Sequence, residues 1–300
     1  GIMVSGSGTI TATDLTVETS GANSAPIASD RGGGTIDVSG GTYTAHGADS
    51  PAVYSTGQIS VDGATLLATG AEAAVIEGSN SIVLTDTDLT GQTKWGVMIY
   101  QSFSGDAEGS DGTYTQTGGS LTAEEGPLFS VTNASGTITL SGVDLDAASG
   151  VLLNAAAGNW GTEGSNGGDA TIIASGQTLT GDVIVDAGST LTILPGTLVM
   201  ADSGSPGQGV AIIAQNGGVV SALGTQTSPI YLFPTAGPAG MALPQAAAAE
   251  RNGVIHRKRA QDADKPANTL AQGGGLNAAA VSDQPGDVAS ERAGGNRQRL

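Results

Sequence analysis

Hydrophobic residues recur along this chain on two scales. Within short stretches they alternate with polar residues: Thr35–Ser39, Gln58–Asp62, Ser81–Thr85 and Thr137–Ser141 each carry apolar side chains at alternate positions. A period of two predicts strands with one apolar and one polar face. Over longer distances the same stretch returns. Ile10, Ile36, Ile59, Ile82, Tyr114 and Ile138 hold equivalent positions, spaced by 23 to 26 residues with one gap of 32. Each unit holds two further apolar pieces. Leu66, Leu89, Leu121 and Leu145 mark one, and Ile27, Val53, Val75, Met98, Leu128 and Leu152 mark the other. Three short strands per unit, repeated, predict a coil whose apolar sides turn inward. No coil buries its interior alone, so neighbouring coils must stack. Gly63, Gly119 and Gly142 are placed where sharp corners require a positive φ. The expected fold is all-β: a single-stranded right-handed parallel β-helix, a solenoid of three-strand coils over residues 1–234.

Composition agrees with many short strands and tight turns. The 300 residues include 49 glycines, 3% aromatic and 13% charged residues, yet 38% are hydrophobic. Globular domains average about 25% charged. Cysteine is absent, which excludes disulfides, thiolate catalysis and Cys-ligated metals. No apolar run approaches the roughly 18 residues of a membrane span, so no membrane insertion by this segment is expected. The chain begins in mid-pattern and reads as part of a longer protein with further flanking domains.

Charge divides the chain. Eight of its ten Lys and Arg residues lie from Arg251 onward; only Arg31 and Lys94 precede them. The body is therefore strongly acidic, which disfavours nucleic acid and anionic lipid. Strand alternation stops after Pro234, and residues 235–300 read as a low-complexity, disordered tail. Its cluster Arg257, Lys258 and Arg259 is too short for a nucleic-acid signature and reads as a solvated linker.

One set of motifs is specific. Leu191–Thr197 (LTILPGT), Gly217–Thr225 (GGVVSALGT) and Ser228–Thr235 (SPIYLFPT) resemble a recurring segment of secreted bacterial right-handed β-helix proteins. Thr9–Asp186 resembles the Gly/Thr-rich repeats of adhesin-like surface proteins and autotransporter-type passengers. The two resemblances cover about three-quarters of the chain. They imply an exported bacterial protein at the cell surface or outside the cell, and they specify fold better than activity. In such families further coils follow the last of these strands, whereas here the pattern stops.

The chemistry-bearing residues are few. Trp95, Tyr100 and Phe103 precede an inserted loop bearing Asp106, Glu108 and Asp111, and Trp160 lies in a second insertion. Aromatic faces beside carboxylates suit sugar binding, since C–H faces stack on rings and hydroxyls donate to carboxylates. Asp106, Glu108 and Asp111 are also the candidate ligands for Ca²⁺, a cation that takes about six to eight hard oxygens; no other cofactor is implied. The pairs Asp86/Asp88 and Asp144/Asp146 resemble the carboxylate pairs of β-helix pectinases and glycosidases. The Gly-His-Gly motif of the polygalacturonase-like enzymes is absent, and His46 is the one histidine of the body. Abundant carboxylates are not placed ones, so solvent-facing aspartates are the simpler reading. Thr-x-Thr recurs, at Thr113/Thr115 and Thr137/Thr139 for example, but Asp37, Ser60 and Val83 interrupt the array an ice-binding face would need.

The expectation is a non-enzymatic, adhesin-like surface β-helix that binds polysaccharide or another cell-surface component, or serves as a stalk. The alternative is a polysaccharide lyase or glycoside hydrolase on the same scaffold, supported by fold analogy alone.

Overall fold

The computed structural model describes residues 1–102, 104–157, 167–174, 181–195, 198–201 and 211–234. The tail read from the sequence, 235–300, lies outside them. Among the described residues there is no helix. Short strands wind as a parallel β-solenoid with three sheets, here named A, B and C in the order the chain visits them. Sheets A and B have nine strands each and sheet C has six. Ile2–Ser5, Thr9–Thr13 and Thr16–Thr19 form the first coil. Ile27–Asp30, Thr35–Ser39 and Thr42–Ala45 pair with it in parallel, and later coils repeat the pattern. Sheet C ends at Asp144–Ala147; beyond it Leu198–Ala201 pairs instead with Tyr231–Pro234.

The interior is built from columns of like residues. In sheet B, Ile10, Ile36, Ile59, Ile82, Tyr114 and Ile138 stand in register, as the repeat spacing predicts, and Ile172 extends the column. In sheet C, Leu66, Leu89, Leu121 and Leu145 do the same. Ile36, Ile82, Leu89, Leu121 and Ile138 are fully buried. Burying each such side chain stabilises by roughly 1.5–3 kcal/mol, an amount available only once the neighbouring coil is in place. Gln116 enters the stack as a polar residue and is satisfied there. Gln116 accepts a hydrogen bond from the Tyr114 hydroxyl (2.6 Å) and donates to the carbonyls of Thr87 (3.0 Å) and Ser120 (3.1 Å). Tyr114 also meets Phe129 edge-on, with ring centroids 5.7 Å apart.

The corner between sheets B and C recurs with little change. The residue after each of the first six B strands has positive φ: Asp14, Gly40, Gly63, Asp86, Gly118 and Gly142. The first five donate their N–H to the carbonyl that ends the next B strand, as in Asp14 to Ser39, Gly63 to Thr85 and Gly118 to Ser141. Two residues later, Thr42, Thr65, Asp88, Ser120 and Asp144 donate back to the preceding coil. A left-handed residue reverses the direction of the ladder here, which is why Gly or Asp occupies the position. Gly63 and Gly142 stand at it as expected; Gly119 lies one place later, where φ is again positive.

Sheet A departs from the sequence reading. Its inward column is Ile27, Val53, Ala74, Val97, Phe129 and Leu153. Val75 and Met98, expected in that column, stand beside Tyr54 in the adjacent outward one. Leu128 precedes its strand, and Leu152 sits at an irregularity between Val151 and Leu153. The cause is physical. Ala74–Glu77, Val97–Tyr100 and Phe129–Thr132 are buried at every residue. Apolar side chains therefore occupy both faces, and alternation no longer reports which face is inside.

Sheet B supplies a matched test of the column picture. Ile82→Ala is expected to destabilise the solenoid by about 2–5 kcal/mol. Val83→Thr, one residue on and partly exposed at 37%, should stay within about 0.5 kcal/mol of wild type. Denaturant unfolding of both variants checks this; equal losses would contradict the assignment of faces.

Candidate functional site

The outward face of sheet A carries a second apolar cluster, separate from the solenoid interior. Val75, Met98 and Tyr100 form it, with Tyr54 and Trp95 packed against them. Strand geometry places them there. Ala74 and Ile76 point inward, so Val75 and Glu77 point out, and the register sets Val75 between Tyr54 and Met98 and Glu77 beside Tyr100. Trp95 arrives from the turn just before Val97–Tyr100. Val75, Met98 and Tyr100 are themselves buried, so this is a small satellite core on the outer side of the sheet, with Tyr54 and Trp95 as its partly exposed members.

Beside the cluster lies a cleft of about 340 Å³, lined by Tyr54, Met98, Tyr100, Asp49, Glu72 and Lys94 among others. Its electrostatics rest on two arrangements. In the first, the Lys94 ammonium lies 2.5 Å from Asp49 Oδ1 and 3.4 Å from Glu72 Oε1. Glu72 is almost wholly buried. Burial alone pulls the Lys94 pKa down, but the bond to Asp49 and the charges of Glu72 and Asp49 outweigh it and hold the pKa above the usual lysine value. In the second, the buried carboxylate of Glu77 accepts hydrogen bonds from the hydroxyls of Tyr54, Tyr100 (3.0 Å) and Ser102. Three neutral donors thus compensate a desolvated acid, which otherwise carries a large penalty.

The inserted loop folds back over earlier coils. The Gly32 N–H donates to the Asp106 carbonyl (3.1 Å) and the Ser79 N–H to that of Glu108 (2.8 Å). Gln101 Nε2 ties the loop from within, donating to the carbonyls of Ala107 (3.1 Å) and Gly109 (2.5 Å). Beneath the loop is a second, polar cleft of about 770 Å³, lined by Arg31, Thr56, Ser79, Asn80, Asp106 and Glu108 among others.

The residues singled out from the sequence fall into separate places. Trp95 and Tyr100 come together in the outward cluster. Asp106 and Glu108 line the polar cleft. Asp111 opens the strand Asp111–Thr117, paired with Ser135. Phe103 and Trp160 lie outside the described residues. Among the described residues no three His, Cys, Asp or Glu side chains form a group that could hold a metal ion, so Asp106, Glu108 and Asp111 form no such set. Asp88, Asp144 and Asp146 are exposed on the outer side of sheet C. His46 is exposed at a corner.

No family model, curated protein or solved structure matches the chain.

Tyr54, Asp49, Glu72 and Glu77 were not singled out from the sequence. Their signal is vertical: Tyr54, Val75 and Met98 recur at the coil spacing, and the strands' burial on both faces conceals it.

The phenols give the site a pH dependence. Tyr54 and Tyr100 are both held above the usual tyrosine value, first by burial, with the neighbouring Tyr100 phenol and Glu77 adding for Tyr54 and the charge of Glu77 for Tyr100. The unfolded chain therefore loses these protons first. Their contribution to stability is fully present below about pH 10 and is lost as pH rises beyond it. Replacing both residues with Phe should flatten the alkaline fall in stability, measured by urea unfolding at stepped pH. An unchanged slope would show that these phenols do not carry it.

Proposed function

We propose that this chain is the ligand-binding solenoid of an exported, adhesin-like bacterial surface protein, and that it binds glycans, without catalysis, on the outer face of sheet A. The observation that carries the reading is the outward cluster of Tyr54, Trp95 and Tyr100 on Val75 and Met98. Aromatic rings backed by apolar side chains, beside a cleft with a few directed polar groups, make a surface on which pyranose C–H faces stack while hydroxyls find partners. Asp49, Glu72 and Lys94 supply those partners: two acceptors and a donor, already drawn together and so partly pre-organised.

Charge narrows the ligand. The chain has a net charge of −18, and the one lysine of the cleft faces two carboxylates. A polyanion such as pectate would meet repulsion with little to offset it, so neutral glycans are the favoured class.

Affinity electrophoresis in gels containing galactomannan, mixed-linkage β-glucan or polygalacturonate, each with Ca²⁺ and with chelator, tests the reading. Retardation is expected with a neutral polymer and not with polygalacturonate. Tyr54→Ala and Trp95→Ala should each weaken it about tenfold, the equivalent of about 1.4 kcal/mol. Retardation unaffected by either substitution would place binding elsewhere, and release of reducing sugar by the wild type would establish an enzyme.

A further inference from the structure

The cleft beside the outward cluster is a groove that runs across the strands, not along them. The parallel register stacks Met3, Ala28, Tyr54, Val75 and Met98 in one outward column, one residue from each of five successive coils. All of them line the same cleft. Neighbouring strands lie about 4.8 Å apart, so the column from Met3 to Met98 spans about 19 Å along the solenoid axis. Val75 and Met98 are buried and form the floor at one end. Ala28 and Tyr54 are partly exposed, and Met3, at the other end, is 63% exposed. Met3 is therefore not a scattered surface hydrophobe; it continues the apolar floor into solvent.

The walls are polar along the same length. One is made by the corner before the strands, where Asn23, Asp49 and Lys94 share a positive φ of 53°, 51° and 68°. Asp30, two residues beyond Ala28, and Tyr100, two beyond Met98, make the other. The charges of these walls are already paired. Asp30, Asp49 and Glu72 are the carboxylates among the described residues that line the groove. Arg31 Nε lies 3.4 Å from Asp30, and Lys94 is shared by Asp49 and Glu72. Arg31 and Lys94 are the only Lys or Arg residues before Arg251. Both cations of an acidic body thus stand against the acids of this one groove.

We infer that this groove seats about four or five residues of an extended, neutral β-1,4-linked hexose chain, laid along the solenoid axis at about one hexose per coil. This rests on the glycan reading above and deepens it by fixing the ligand's shape, length and direction. A β-1,4-linked chain is a ribbon with hydroxyls on both edges and C–H groups on both faces. The polar walls meet its edges, and the apolar floor meets one face. The length of one hexose in such a chain is close to the spacing between coils, so a contact made at Tyr54 is repeated at Ala28 and Met3. A β-1,3-linked chain curves away from a straight floor.

The test is isothermal titration of the whole chain with manno-, cello- and laminari-oligosaccharides from disaccharide to hexasaccharide. Wild type, Met3→Ser and Tyr54→Ala are compared, with thermal unfolding of each. Affinity for the manno- or cello-series is expected to rise with each added residue and to level at about four or five, with laminarihexaose bound more weakly. Met3→Ser should bind the preferred hexasaccharide about fivefold more weakly. It should bind the shortest chain that wild type binds as wild type does, and unfold at the same temperature. Affinity that levels at the disaccharide, or tightest binding of laminarihexaose, would overturn the axial groove. So would a hexasaccharide affinity unchanged in Met3→Ser, or a lower unfolding temperature with equal weakening at every chain length. In each of these cases weak binding by Tyr54→Ala leaves the glycan reading itself standing. Binding of no oligosaccharide by wild type would overturn both.

Discussion

Among the described residues, the side chains of the strands are positioned by the parallel ladder between coils. Equivalent residues are set one above another, so a residue's neighbours are fixed by its place in the repeat and not by its own propensity. The constraint is unforgiving, because the side-chain period of a strand is two. A slip of one residue would turn Ile59 and Val61 to water and bring Gln58, Ser60 and Asp62 inside. What prevents the slip is the corner after each of the first six B strands. There a left-handed Gly or Asp closes one ladder bond upward, and the next strand closes another downward. The corner fixes the phase of the B and C strands, and with it the isoleucine and leucine columns.

The outer face of sheet A follows from the same constraint. Because the sheet must place Val53, Ala74, Val97 and Phe129 inside, the alternate residues Tyr54, Val75, Met98 and Ser130 are necessarily aligned outside. Alignment converts isolated exposed residues into a contiguous strip. No single coil builds the site. Tyr54 comes from one coil, Glu77 from the next, and Trp95, Tyr100 and Ser102 from the coil after that, with Asp49 from the preceding turn. Each contributes one or two contacts, and the buried Glu77 collects three of them.

How far this was legible in the sequence depends on the sheet. Sheets B and C alternate cleanly, since one face is interior and the other is solvent, and their columns follow from spacing alone. Sheet A is apolar on both faces, so Val75 and Met98 read as interior residues although they form the floor of an external groove. Phase was lost there, and the site was found only in part. Trp95 and Tyr100 were visible because aromatics are rare in this chain. Tyr54 and the carboxylates Asp49, Glu72 and Glu77 were not, because a tyrosine or acid in a strand has no local mark that distinguishes it. The acids that did stand out, Asp106, Glu108 and Asp111, lie together in sequence but are divided between a folded-back loop and a strand.

The charge pattern bears on why the groove is not simply an acidic patch. Asp49 and Glu72 share Lys94, and Glu77 is enclosed by neutral hydroxyl donors. Each of these carboxylates is therefore matched before any ligand arrives. A free ammonium group entering the groove would compete with Lys94 for Asp49 and Glu72 and gain little, and a polyanion would meet the acidity of the whole body. A neutral polyol needs neither exchange. It can take hydrogen bonds at the rim of the Lys94 network, where Asp49 remains partly exposed, and leave the ion pairs intact. On the glycan reading proposed above, a groove whose charges are already satisfied favours a neutral ligand, and the attraction comes from the apolar residues that line it, Tyr54, Met98 and Tyr100.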